Sequence, residues 1–203
     1  VGLNGLGMAL NIKIDLENIY SIVAKDGEQR ASEFDTVLTT GQNIRLGVKI
    51  SHNSHPLMLN VYNLAFGPIN KDGTINDKAK LSHQNHSKVF STVLFEAISF
   101  LEEHPNDSVG IDGTNNARAY LYYRCIRNNL TYLSTIFKIF GINYYIRMLR
   151  QAEDGDYDLD GEDIIFSPRL ITASESIRPQ KLYNYFILKL RSNQASFSSI
   201  IKK

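Results

Sequence analysis

Between residues 44 and 50 apolar and polar side chains alternate, with Ile44, Leu46, Val48 and Ile50 set against Arg45, Gly47 and Lys49. That is the period of a half-buried strand. Leu57 to Phe66 is longer and more uniformly apolar and predicts a second strand, with Ser51–Pro56 as the turn between them. Asn18–Ala24 and Phe34–Thr39 predict weaker strands around an Asp26-Gly27 turn, and Lys71-Asp-Gly-Thr74 predicts a tight turn into a short strand over Ile75 to Leu81. The period then changes. Phe90, Val93, Leu94, Ala97, Ile98 and Leu101 share one helical face, and His104-Pro105 stops that helix because the residue before proline avoids the α region. Val109–Ile111 predicts a short strand, Asn115–Asn129 a second helix, and Tyr132–Phe140 a third helix closed by Gly141. Tyr183–Arg191 predicts a last strand. The expected fold class is α+β: a mostly antiparallel β-sheet with two to three helices packed on one face. Residues 1–15 read as an N-terminal extension or an appended remnant, with Met8 as a candidate start after Val1–Gly7. Residues 16–191 read as a single domain with an acidic, irregular insertion at 153–180, and 192–203 as a flexible tail.

Composition changes this picture little. At 43% hydrophobic and 21% charged, the 203 residues suit one domain with a proper core. The single cysteine, Cys125, excludes an intrachain disulfide framework, fits a cytoplasmic location and is expected as a buried thiol within a helix. No apolar run reaches the roughly 18 residues of a membrane span, so no membrane partner is expected. Val1–Leu10 has no basic segment ahead of it and is not read as a signal peptide. Charge distribution says more than net charge. The overall +1 conceals six basic and no acidic residues from Gly113 to Ala152, followed by seven carboxylates and no base from Glu153 to Asp163.

The stretch that bears most on chemistry is Ser108-Val-Gly-Ile-Asp-Gly-Thr-Asn-Asn-Ala-Arg118, a strand running through a turn into a helix. Such a turn points the helix's first N–H groups at whatever lies above it, often an anion. Gly113 allows close approach or positive φ, and Thr114 or Asn115 is a good N-cap. Arg118 falls in the first helical turn, where the dipole disfavours a cation by up to about 1 kcal/mol. Asp112, Gly113, Thr114, Asn115, Arg118, Tyr122 and Arg124 therefore form a candidate anion-binding set. The competing reading pairs Arg118 internally, with Asp112 as the nearest carboxylate. The pattern lacks the Gly-Lys-Ser/Thr ending of a phosphate-binding loop.

Other constellations are weaker. Tyr120, Tyr122, Tyr123, Arg124, Arg127, Tyr132, Tyr144, Tyr145, Arg147 and Arg150 combine cations with rings, the ingredients of single-strand nucleic-acid binding. Tyrosines at helical spacing are also ordinary core residues with one polar tip. His52/His55 and His83/His86 form two His-x-x-His pairs, but both lie in Ser/Asn-rich segments with no thiolate or carboxylate between their members, and no metal site is expected. Asp156, Asp158, Asp160 and Gly161 match positions of a calcium loop, while Ser167 stands where the bidentate Glu belongs and Pro168 blocks an exit helix. A solvated loop lying against the basic surface, and competing there with a polyanion, is the stronger expectation. No nucleophile elbow appears and no cofactor fingerprint is present. Asp112 is the carboxylate best placed for acid–base work.

Val61-Tyr-Asn-Leu-Ala-Phe-Gly67, Asp72-Gly-Thr-Ile-Asn-Asp77, the Lys88–Pro105 helix and Gly113-Thr…Arg118…Leu121-Tyr122-Tyr-Arg124…Ile126 together resemble an uncharacterised bacterial family common in Bacteroidota. The likeness covers residues 57–141 and the last strand. This chain departs from the family pattern at His83-Gln-Asn-His86, where members carry an Asn-Asn-Gly-Asp turn, at Tyr120, which replaces an arginine, and in the acidic stretch. The resemblance implies no activity. Because spacing that specifies a catalytic set is absent, the expected function is a binding or interaction module recognising a protein or polyanionic partner; chain size and the kind of family suggest a toxin–antitoxin or phage-defence pair as its context. The alternative is an enzyme on a phosphate-bearing nucleotide or RNA, with Arg118 as clamp and Asp112 as acid–base; that reading requires a concave pocket where the two converge, with or without Arg124, on a second polar group.

Overall fold

The computed structural model describes residues 11–113, 116–142, 144–146, 164–166, 168–174 and 183–191. Four strands open the fold as a meander: β1 (Ile22–Lys25), β2 (Ala31–Val37), β3 (Asn43–His55) and β4 (Met58–Pro68). Helix α1 (His86–Glu103) follows, then β5 (Ser108–Asp112), α2 (Asn116–Asn128) and α3 (Leu130–Ile136). After them come β6 (Phe137–Ile142), β7 (Tyr144–Ile146), β8 (Ile164–Phe166), β9 (Arg169–Leu170) and β10 (Tyr185–Leu190). Eight of the strands form one sheet in the order β1-β2-β3-β4-β5-β10-β6-β9, and β7 pairs separately with β8. Every neighbouring pair in the large sheet is antiparallel except β4–β5, which α1 bridges as a crossover. The α+β class expected from periodicity is the one observed.

Helix α1 lies across β3, β5 and β10. Its buried Val93, Ala97, Ile98 and Leu101 join Leu46, Ile50, Val109 and Phe186 of the sheet and Ile126 and Leu133 of α2 and α3 in one core. Each such aliphatic side chain contributes roughly 1.5–3 kcal/mol on burial. The Asn85 side chain caps α1 by accepting from the Lys88 N–H at 2.9 Å. At the other end the His104 ring stacks on Phe100 at 4.3 Å, ending the helix where the His-Pro pair predicts. The sheet's other face carries a small cluster of Val61, Ile142, Tyr185 and Ile187.

Several expectations are corrected. The turn expected at Ser51–Pro56 is strand as far as His55, so the reversal is confined to Pro56 and Leu57. Ile75–Leu81 is not a strand; isolated bridges Ile69–Ile75 and Leu38–His83 hold that segment to the meander. The third helix stops at Ile136, because Phe137 turns extended and Phe137, Lys138 and Ile139 then alternate buried, exposed, buried. β10 pairs with β6 along its whole length on one side, and β9 pairs with Phe140 and Gly141 on the other. Gly141 is therefore mid-strand and not a helix terminator, and the Tyr183 ring fills the place its Cβ would occupy. Residues of the expected N-terminal extension enter the core, with Ile12 and Ile14 buried. The 168–174 stretch of the expected insertion also contributes, since Ile171 is buried and its N–H donates to the Ile139 carbonyl at 2.9 Å. The acidic run Glu153–Asp163, Arg147, Arg150 and the tail from Ser192 lie outside the described residues, as do the side chains of Tyr144 and Tyr145.

Candidate anion-binding cavity

Three sequence segments meet beside the start of α2. Gly67 ends the Tyr-Asn-Leu-Ala-Phe-Gly strand with no side chain, and the Asn76 carbonyl packs where a Cβ would stand. That close approach seats the Lys71–Lys80 loop on β4. An inner hydrogen bond from the Asn76 N–H to the Pro68 carbonyl at 2.9 Å holds it there. The next residue, Asp77, thereby comes to lie 3.8 Å from Arg118 Nη1. The carboxylate paired with Arg118 is thus Asp77, where sequence proximity had favoured Asp112. At 3.8 Å the pair is longer than a hydrogen bond and Asp77 is half exposed, the kind of contact worth about 0–1 kcal/mol.

Room remains beside the guanidinium. Arg118 lines a cavity of about 670 Å³ whose floor is apolar, built from Leu46, Phe66, Phe90, Leu121 and Tyr122. Phe90 meets Phe66 at 5.6 Å and Tyr122 at 6.3 Å, both edge-on. Burial pushes the Tyr122 phenol up to about 12, so it remains a neutral hydroxyl on this floor. Lys78 and Lys80 stand on the rim, and His83 and His86 line another part of the wall. His83 is placed by backbone bonds on either side of it, from Thr39 N–H to the Ser82 carbonyl and from Gln84 N–H to the Val37 carbonyl. It is 8% exposed, and its Nδ1 is buried with no hydrogen-bond partner among the described residues. Burial lowers the basicity of both imidazoles, with the two rings 5.5 Å apart.

The remaining residues of the expected site are dispersed. Gly113 serves close approach: a Cβ there would sit 2.8 Å from Ala119 Cα, so its absence lets α2 pack on the strand end. Its N–H donates to the Asn184 carbonyl at 2.8 Å and is committed there, not to an anion. Thr114 and Asn115 lie outside the described residues. Arg124 sits over the Tyr120 ring at 5.6 Å and does not line the cavity. Asp112 lines a second, shallower hollow of about 430 Å³ with His55 and Tyr185. Burial raises its carboxyl above the usual range and Asp77 adds to the shift, while Arg118 and His55 oppose it. Asp112 and Arg118 therefore influence each other across the strand end while lining different hollows.

Within the basic and aromatic run the rings divide between core and surface, with Tyr120 and Tyr132 exposed. Tyr122 packs on Phe90 and Phe186, and Tyr123 meets Tyr183. Arg127 is used structurally, donating to the Thr172 carbonyl at 2.6 Å. The two His-x-x-His pairs have different neighbours: His83 and His86 face each other, while His52 approaches Glu28 and His55 packs on Tyr185. No group of three or more metal-ligating side chains occurs among the described residues. No helix among them is long and apolar enough to cross a membrane. Cys125 is buried within α2, as expected, and burial pushes its thiol up to about 12.

Fold and cavity together define an α+β domain with a recessed, cation-edged cavity at the mouth of a helix. The chain belongs to the family of unknown function DUF6934, whose model matches residues 17–158. No curated protein and no solved structure matches it.

Proposed function

We propose that this protein is a ligand-binding module that takes a small phosphate-bearing molecule into the cavity between α1 and α2, with Arg118 as the anion clamp. The observation that carries this reading is the position of Arg118, in the first turn of α2, on the wall of a cavity of about 670 Å³. A recess of that size suits a metabolite, whereas a protein or polyanion partner suits a flatter exposed face. A phosphate there gains a charge-assisted hydrogen bond from the guanidinium and the favourable end of the helix dipole. Apolar walls lower the local dielectric and strengthen both. The enzymatic alternative is less well supported, since Asp112, its acid–base candidate, lines a different hollow. Nothing in the geometry bears on a toxin–antitoxin or phage-defence role, which forms no part of this reading.

Calorimetric titration with inorganic phosphate and pyrophosphate at low salt tests it. Arg118→Ala is expected to weaken binding by about tenfold or more, the worth of a charge-assisted hydrogen bond. Equal affinity in the variant removes Arg118 from the site and the proposal with it. Asp77→Asn supplies the opposite sign. Removing a carboxylate 3.8 Å from the guanidinium should tighten phosphate binding by up to about fivefold, the scale of a partly exposed ion pair.

A further inference from the structure

Resting on that reading, we infer that the ligand is a nucleoside phosphate, with its base on the Phe66–Phe90–Tyr122 floor and its polar edge read by His83. The cavity offers three chemistries. Arg118 and the start of α2 supply the anion end. The aromatic floor runs from there: Tyr122 lies one helical turn beyond Arg118 on α2, its ring meets Phe90, and Phe90 meets Phe66. One turn before Phe90 on α1 stands His86, edge-on to His83. The chain of neighbours thus passes from cation, across rings, to imidazoles, matching the order phosphate, stacked base, hydrogen-bonding edge.

The imidazole end does not suit a second phosphate. Burial favours the neutral rings, and a neutral imidazole carries one donor and one acceptor. A nucleobase edge presents that same mixture. His83 and His86 line this end of the cavity with their rings 5.5 Å apart, so a base lying on the aromatic floor brings its edge to the imidazoles.

Affinities of the full chain for adenosine and guanosine monophosphates, ribose 5-phosphate and inorganic phosphate decide the matter. At least one nucleotide should bind about tenfold or more tighter than ribose 5-phosphate, the contribution of one stacked base. His83→Gln, checked for folding by circular dichroism, should shrink that margin while leaving ribose 5-phosphate affinity within about twofold. Phe90→Leu should shrink it as well, giving a second variant if His83→Gln does not fold. Ribose 5-phosphate binding as tightly as both nucleotides overturns the inference and leaves the anion site standing. A nucleotide margin that both variants preserve also overturns it. Failure of every phosphate compound to bind overturns the anion-site reading itself.

Discussion

Arg118 shows how much one residue can say by standing in an unfavourable place. A cation in a helix's first turn needs a compensating anion, which is why its position was informative from sequence. Its carboxylate was not legible, because Asp77 reaches it only through a loop laid over Gly67. Gly67→Ala should force the Asn76 carbonyl outward and cost about 1–3 kcal/mol by overpacking. A lowered melting temperature together with altered phosphate affinity is the expected pair of readouts; an unchanged melting temperature would show that the loop has slack. The buried histidines predict a pH dependence. His83 and His86 have native values below the usual 6.5, so the unfolded chain takes up protons first as pH falls. Their contribution is present above about pH 6.5 and is lost as pH drops through the lowered native values. Asp112 works in reverse and at lower pH: its native carboxyl lies above 3.8, so its contribution is held below that pH and lost as pH rises through the raised value. Denaturation midpoints should therefore decline from pH 7 toward pH 5, less steeply in His83→Gln. A flat profile would contradict the buried, neutral imidazoles.

Among the elements, α1 was read correctly on its apolar face and incompletely on its polar one. Ser87, Ser91 and Thr92 accept hydrogen bonds from the backbone N–H groups of Lys13, Asp15 and Tyr20, tying the N-terminal segment along the helix. Asn129 completes that seam: its Oδ1 accepts from Ile14 N–H, and its Nδ2 donates to the carbonyls of Ile12 and Cys125. Asn129→Ala leaves buried backbone groups unpaired and should cost about 1–3 kcal/mol. Faster hydrogen exchange at the Ile14 amide, beyond that of the sheet, would locate the loss; uniform exchange across the fold would contradict a local seam. These contacts are invisible in a hydrophobicity pattern, since short hydroxyl and amide side chains read as neutral within a helix. The expectation of helix over Phe137–Phe140, which is strand, failed for a different reason. The apolar run there fits a helical period as well as an alternating one, and the choice is made by β10 and β9, which are distant in sequence. Gly141 then looked like a helix terminator when its role is to admit the Tyr183 ring.

At the scale of the molecule, the antiparallel α+β plan was legible because its first four strands are sequential neighbours joined by short turns. The insertion of β10 between β5 and β6 was not, since strand order across a sheet depends on pairings that leave no local trace. That insertion matters to the site. The Asn184 carbonyl, just before β10, takes the Gly113 N–H and so holds the end of β5 on which α2 packs through Ala119. Sheet, loop and two helices thus converge on one recess, with the cation on its wall and aromatic rings on its floor. The most direct test is amide chemical-shift mapping of isotope-labelled protein titrated with inorganic phosphate at low ionic strength. Shifts gathered on Asp77 and on Ala117 to Tyr122 that vanish in Arg118→Ala are expected; shifts scattered over surface lysines, or unaltered in that variant, would contradict the anion site.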